Sequence, residues 1–373
     1  VRRVIGWSLA TVLAACLYLM FWPVPIRPVV WQAPPNAGYT GPHAVNARLS
    51  GVQRVDLGRE VGPEHIEPGP DGRLYTGVLS GAILAMQPDG SDLKTFAQTG
   101  GRPLGLAFNS AGQLIVADAL RGLLVIDGNG ASQVLADQVD GTPIRYADAV
   151  VAARDGRLIF TDASQRFPPQ GVGTFDAALF DILEHSCTGR VLEYDPMRRA
   201  ARVIIGGLCF PNGVVLSADE SDVLIAETGE YRIWRVSRAA TRLDAGQAAS
   251  GGNASARVLL ANLPGFPDNL SRGADGRIWT GFTKPRSAAI DSMAGKRWLR
   301  AVTMRLPRAL WPVPPPYGHV MAFDETGRVL ADLQDPKGAI AETSGATEHA
   351  GRLYVQSLHA NALGIVSRSA AGL

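Results

Sequence analysis

Four short stretches of this chain place a carboxylate or an amide just ahead of an apolar run. They are Gly62-Pro-Glu64-His-Ile, Tyr146-Ala147-Asp148-Ala-Val, Phe210-Pro-Asn212-Gly-Val and Gly265-Phe-Pro-Asp268-Asn269-Leu. Taken singly, each polar residue reads as a turn-capping Asp or Asn. Brought to one point, they offer oxygen donors without a cysteine or a pair of histidines. That donor set suits a hard cation, and Ca2+ takes six to eight oxygens.

The elements that must bring them together repeat along the chain. A small turn, an aliphatic and aromatic strand, a few polar residues and a second strand recur six times. Asp71-Gly-Arg-Leu-Tyr, Asp155-Gly-Arg-Leu-Ile-Phe and Asp275-Gly-Arg-Ile-Trp show the first half most clearly. The stretch Phe210–Val236 shows the whole unit as turn, strand, turn and two further strands, with Pro211 fixing one φ and Gly213 permitting another. The period is near that of a four-stranded propeller blade. The expected fold is therefore all-β, a six-bladed β-propeller over residues 51–373, whose inner strands line a central tunnel. With 42 Gly and 25 Pro the chain has the turns this needs, and a net charge of +2 gives no sign of a nucleic-acid partner.

Two insertions interrupt the period. Residues 165–188 include a helical pattern over Phe175–Glu184 and are expected to cover the tunnel mouth near Asp148. Residues 284–316 set Arg286, Arg297, Arg300 and Arg305 among Trp298, Leu299 and Trp311. They read either as a lid with a charged outer face or as a stretch lying on a membrane. Cys187 and Cys209 pair only if the fold brings them together.

At the N-terminus Arg2 and Arg3 precede an apolar run from Val4 to Trp22. Roughly nineteen residues suffice to span a bilayer, and the arginines would stay cytoplasmic. The expectation is a transmembrane anchor over 1–22, a Pro-rich tether over 23–50, and a propeller on the periplasmic or extracellular side of the plasma membrane. A lipoprotein signal at Cys16 and a cleaved signal peptide are the alternatives.

GPEHI, GRPLGLAF, TGRVLEYDP, FPNGVVLSADES, LPGFPDNL and EHAGRLYV stand in this order. Together they resemble the strictosidine synthase-like branch of the propeller superfamily that also holds gluconolactonases and paraoxonases. Within that branch they resemble the adipocyte plasma-membrane-associated type, which is likewise an N-terminally anchored propeller. The resemblance implies a tunnel Ca2+ held by Glu64, Asn212, Asp268 and Asn269. It also implies one absent ligand, since Ala147 stands where an Asn is usual. The paraoxonase histidine is replaced by Leu104, and Ser344 replaces the glutamate that alkaloid-forming synthases need.

The reading favoured is a Ca2+-dependent hydrolase of lactones or aryl esters acting on a small-molecule substrate. Asp148, His65 and His185 are the candidate bases. The alternatives are a non-enzymatic anchored propeller that binds a small molecule or protein, and a Pictet–Spengler-type condensation, which Ser344 disfavours.

Overall fold

The computed structural model describes residues 2–251 and 253–373, and the side chains of residues 2–9 lie outside the description. Six sheets form a ring. Their innermost strands are Ile66–Pro68, Pro103–Phe108, Ala147–Ala152, Pro211–Leu216, Gly265–Arg272 and Thr343–His349, one from each of blades one to six. Neighbouring inner strands touch all the way round. The ring closes through Gln53–Asp56, which pairs antiparallel with Ala362–Ser367 and becomes the outermost strand of blade six. That closing strand carries no distinctive pattern in the sequence.

The middle strands are buried from end to end, as in Ala82–Met86, Leu114–Asp118 and Leu158–Asp162. The reason is that each blade is covered on both faces. The core consists of wedges between adjacent blades. One gathers Tyr75 and Ile83 of blade one with Leu114 and Val116 of blade two. Another gathers Val191 of blade three with Ile225 and Trp234 of blade four. The turns that lead to these strands need a left-handed residue, and Gly72 (φ 78°) and Gly156 (φ 83°) provide it at the Asp-Gly-Arg positions.

The insertion at 165–188 forms the helix Thr174–Glu184. It packs Ala177 and Leu183 against Leu104, Tyr146 and Phe210 over one end of the tunnel. A disulfide joins Cys187, just past this helix, to Cys209. In the second insertion the short helices Ala288–Ser292 and Arg297–Arg305 are stitched inward by arginines. Arg300 is buried and donates to the carbonyls of Leu183 and Ala294, while Arg286 pairs with Asp291. Only part of the basic stretch therefore faces solvent, and Trp298 is its exposed aromatic.

Residues 23–50 do not behave as a free tether. Ile26 is buried in the lid cluster, the Val29 amide bonds to the Glu184 carbonyl at 2.8 Å, and Leu49 packs between blades five and six. Isolated apolar residues among the prolines dock an extended chain without giving it periodicity. The N-terminal apolar run forms the helix Arg2–Phe21. Among the described residues no helix is long and apolar enough to cross a membrane. The first part of the expected anchor lies outside the described side chains.

Candidate metal centre and active site

The inner strands share an irregularity that aims their polar residues. Pairing with the second strand slips between Ala147 and Val150, between Pro211 and Val214, and between Pro267 and Leu270. Asp148, Asn212 and Asp268 sit inside these bulges. A bulge breaks the two-residue alternation and re-aims a side chain, here into the tunnel. The same slip carries Leu104 in blade two and Ser344 in blade six. Gly213 is needed here for closeness rather than for φ. A Cβ on it would lie 2.1 Å from the Leu270 amide nitrogen of blade five.

Glu64, Asp148, Asn212 and Asp268 line one cavity of about 260 Å³ beneath the helix Thr174–Glu184, with Arg102, Tyr146, Phe175 and His359. All four are buried. Asp148 Oδ1, Asn212 Oδ1 and Asp268 Oδ1 have no hydrogen-bond partner among the described residues. Partnerless buried oxygens are costly, and three in one pocket are what a hard cation would satisfy. Burial, followed by the Glu64 and Asp148 charges, pushes the Asp268 carboxyl well above its ordinary range, and the Asn212 amide offsets part of this. Burial and then Glu64 do the same to Asp148. Burial also raises Glu64, against the lowering influence of Arg102 and His359. Three carboxylates therefore repel one another across the pocket, and the donor set fits Ca2+ in both atom type and charge.

Arg102 is the participant that sequence reasoning missed. Its guanidinium donates to Glu64 Oε2 at 2.9 Å and to the Gly62 carbonyl at 3.1 Å, and it is itself buried. The only signal was a charged residue immediately before an inner strand. His359 was missed as well. It lies at the rim of the cavity, hydrogen-bonded through Nδ1 to Glu342. Glu342 is also paired with Lys284 at 2.5 Å. Burial would raise Glu342, but the His359 and Lys284 contacts prevail and hold it down at about 2.

Other expected residues lie elsewhere. Asn269 does not line the cavity with Asp268; its amide donates to the Glu64 carbonyl at 2.8 Å and so fixes the backbone behind the site. The Ser344 hydroxyl bonds to the same carbonyl at 2.7 Å. Ala147 is packed in the apolar wedge between blades two and three, and Asp148 holds the bulge position. His65 points to the opposite end of the tunnel, where its Nδ1 accepts from the Leu106 amide and burial lowers its pKa to about 4. Adjacent residues on an extended strand face opposite ways, so His65 is not a base for the Glu64 pocket. His185 ends the lid helix, stacks on Trp31 at 4.0 Å and meets Glu230 at 2.8 Å. It too is structural.

The fold and pocket define a six-bladed propeller with an acid-lined axial site. A strictosidine synthase family model matches residues 148–239, and a strictosidine synthase-like N-terminal model matches residues 41–86. The chain is 30% identical over 353 residues to the strictosidine synthase-like 13 protein of Arabidopsis thaliana, covering 84% of this chain and 83% of that one. It is 31% identical over 386 residues to the adipocyte plasma membrane-associated protein of Salmo salar, covering 96% and 88%. Among solved structures, a gluconolactonase from Xanthomonas campestris superposes with a TM-score of 0.60 at 17% identity, over 91% of this chain and 99% of that one. At that identity the likeness shows the fold alone. The chain belongs to the strictosidine synthase-like family.

Proposed function

We propose that the protein is a Ca2+-dependent hydrolase of lactones or aryl esters. The observation that carries this reading is the convergence of three partnerless oxygens, on Asp148, Asn212 and Asp268, beside the Glu64 carboxylate. Those residues would hold the ion, which when bound supplies a positive centre for a carbonyl oxygen. The chain's own groups supply the rest. Ionised Glu342 holds His359 through Nδ1, which leaves the other ring nitrogen to take a proton from an attacking water. Arg102 orients Glu64 and offsets its charge. Phe175 and Ala178 of the lid restrict water at the cavity mouth. Phe175, Phe210 and Leu358 also line an adjoining apolar cavity of about 320 Å³, with Phe266 and Trp311, which suits an aryl or alkyl substituent.

A second reading, a non-enzymatic small-molecule binder, is favoured by Arg102, which already pairs with Glu64. The names of the adipocyte plasma membrane-associated relatives support placing the protein at a membrane. Val12, Leu13, Leu17, Met20 and Phe21 of the N-terminal helix are exposed, as an anchor requires.

A panel of aliphatic lactones and aryl esters, assayed with Ca2+ and with excess chelator, tests the reading. Turnover that chelator abolishes and Ca2+ restores is expected. Ca2+-independent turnover, or none alongside measured ligand binding, overturns it.

A further inference from the structure

A second cluster of ligating groups lies outside the tunnel, where the segment 23–50 crosses blade five. The 3-10 turn Gly41–His43 brings His43 against His319, on the third strand of that blade, and Asp332, on its outermost strand. His43 Nδ1 and His319 Nε2 lie 2.8 and 2.9 Å from the same oxygen, Asp332 Oδ2. All three ligand atoms fall within 4.8 Å of one another, and His319 and Asp332 are 1% and 6% exposed. Around them the packing is tight. Phe282 stacks on the His319 ring at 4.3 Å, and Tyr39 packs on it at 5.5 Å. The Tyr39 hydroxyl is buried with no hydrogen-bond partner among the described residues.

We infer that His43, His319 and Asp332 form a binding site for a divalent transition metal of the zinc type. Two imidazoles and one carboxylate are a donor set that zinc takes with a fourth position left to water or another oxygen. Metal–ligand bonds of about 2.0–2.2 Å put neighbouring ligand atoms a little over 3 Å apart, so the two nitrogen–oxygen spacings need only open slightly. The site differs in chemistry from the tunnel, which offers oxygens alone and suits a harder ion. Each neutral ring keeps its one proton by moving it to the nitrogen that faces away from the metal. Gln334 supports the arrangement from outside, because its amide donates both to Asp332 and to the His43 carbonyl at 3.1 Å. The ion would clamp the chain leading from the N-terminal helix onto the propeller.

The test uses the full chain, stripped with chelator and then saturated with Ca2+ so that the tunnel is not a competing site. One equivalent of Co2+ should bind with the visible absorption of a tetrahedral N/O site, and Zn2+ should displace it. Zn2+ should raise the melting temperature and slow proteolysis between residues 36 and 48. His43→Ala, which removes a ligand from an edge segment rather than from the core, should abolish the Co2+ spectrum while the protein stays folded. His319→Gln should do the same, and Gln334→Met should weaken binding by roughly 10- to 100-fold. Absence of Zn2+ binding at ~100 µM, well above the range of structural zinc sites, overturns the inference. So does binding that survives His43→Ala and His319→Gln unchanged, because the two imidazoles would then be only a hydrogen-bonded clasp.

Discussion

Arg102 reaches across from blade two to donate to Glu64 of blade one at 2.9 Å, inside a pocket that also holds Asp148 and Asp268. It is the one cationic side chain among the described residues lining that pocket. Asp176 at the mouth is paired with Arg308. The three buried carboxylates Glu64, Asp148 and Asp268 with one guanidinium leave two negative charges if all are ionised, the charge that a divalent cation neutralises.

Arg102→Met removes that partner and leaves Glu64 buried without it. Breaking one side of a buried pair costs about 3–5 kcal/mol. The chelated variant should therefore melt well below the chelated wild type, and Ca2+ should recover much of the difference. Thermal melts of both proteins in Ca2+ and in chelator make the comparison. An equal Ca2+ response in the two would show that Arg102 and the cation do not share a charge.

Asp148→Asn and Asp268→Asn should each weaken Ca2+ binding in calorimetry while the fold persists. Burial and mutual repulsion raise both carboxyls, so protons compete with the cation for the metal-free pocket. Ca2+ must displace them, and affinity should rise with pH. Affinity that does not change with pH would remove these residues from the ligand set.

His359→Gln should lower kcat by roughly 10²–10⁴-fold, the usual contribution of a general base, with the Ca2+-induced rise in melting temperature unchanged. Glu342→Gln should lower kcat less and alter the pH–rate profile, since it only positions the ring. Full activity in His359→Gln would return the role of base to Asp148.

The lid should be sensitive to pH. Burial raises Asp181, on the helix Thr174–Glu184, to about 7, while the Ser164 hydroxyl at 2.5 Å moderates the shift. Its unfolded value is about 3.9. A raised acid stabilises the folded form fully below pH ~4 and loses that contribution as pH rises to about 7. Hydrogen exchange across residues 174–184, corrected for the intrinsic rate, should show protection falling over that window. Asp181→Asn should remove the dependence, and an unchanged profile in that variant would refute the assignment.

Protease added to intact spheroplasts should digest the propeller if the N-terminal helix anchors it outside the cytoplasm. Complete protection would place the domain inside, and release of the domain into the medium would indicate cleavage.

Strand identity and blade number were legible from residue type and spacing alone. The two-residue alternation and the recurring Asp-Gly-Arg turns are local properties of the chain. So was the association of Glu64, Asn212 and Asp268 with inner strands, although the strands begin early enough to include Asn212 and Asp268 and only Glu64 stands ahead of its strand. Tertiary structure decided which of these side chains share a cavity. The bulges at Asp148, Asn212 and Asp268 arise from how each inner strand pairs with its neighbour, and pairing slips have no fixed residue signature. The slip in blade five likewise turns Asn269 to the Glu64 backbone, whereas Glu64 and His65 part by simple alternation along the chain. Arg102, His359 and His43 depend on contacts with Glu64, Glu342 and Asp332 that lie 38, 17 and 289 positions away. The sequence supplies their chemistry, and only closure of the ring and docking of residues 23–50 supply their proximity.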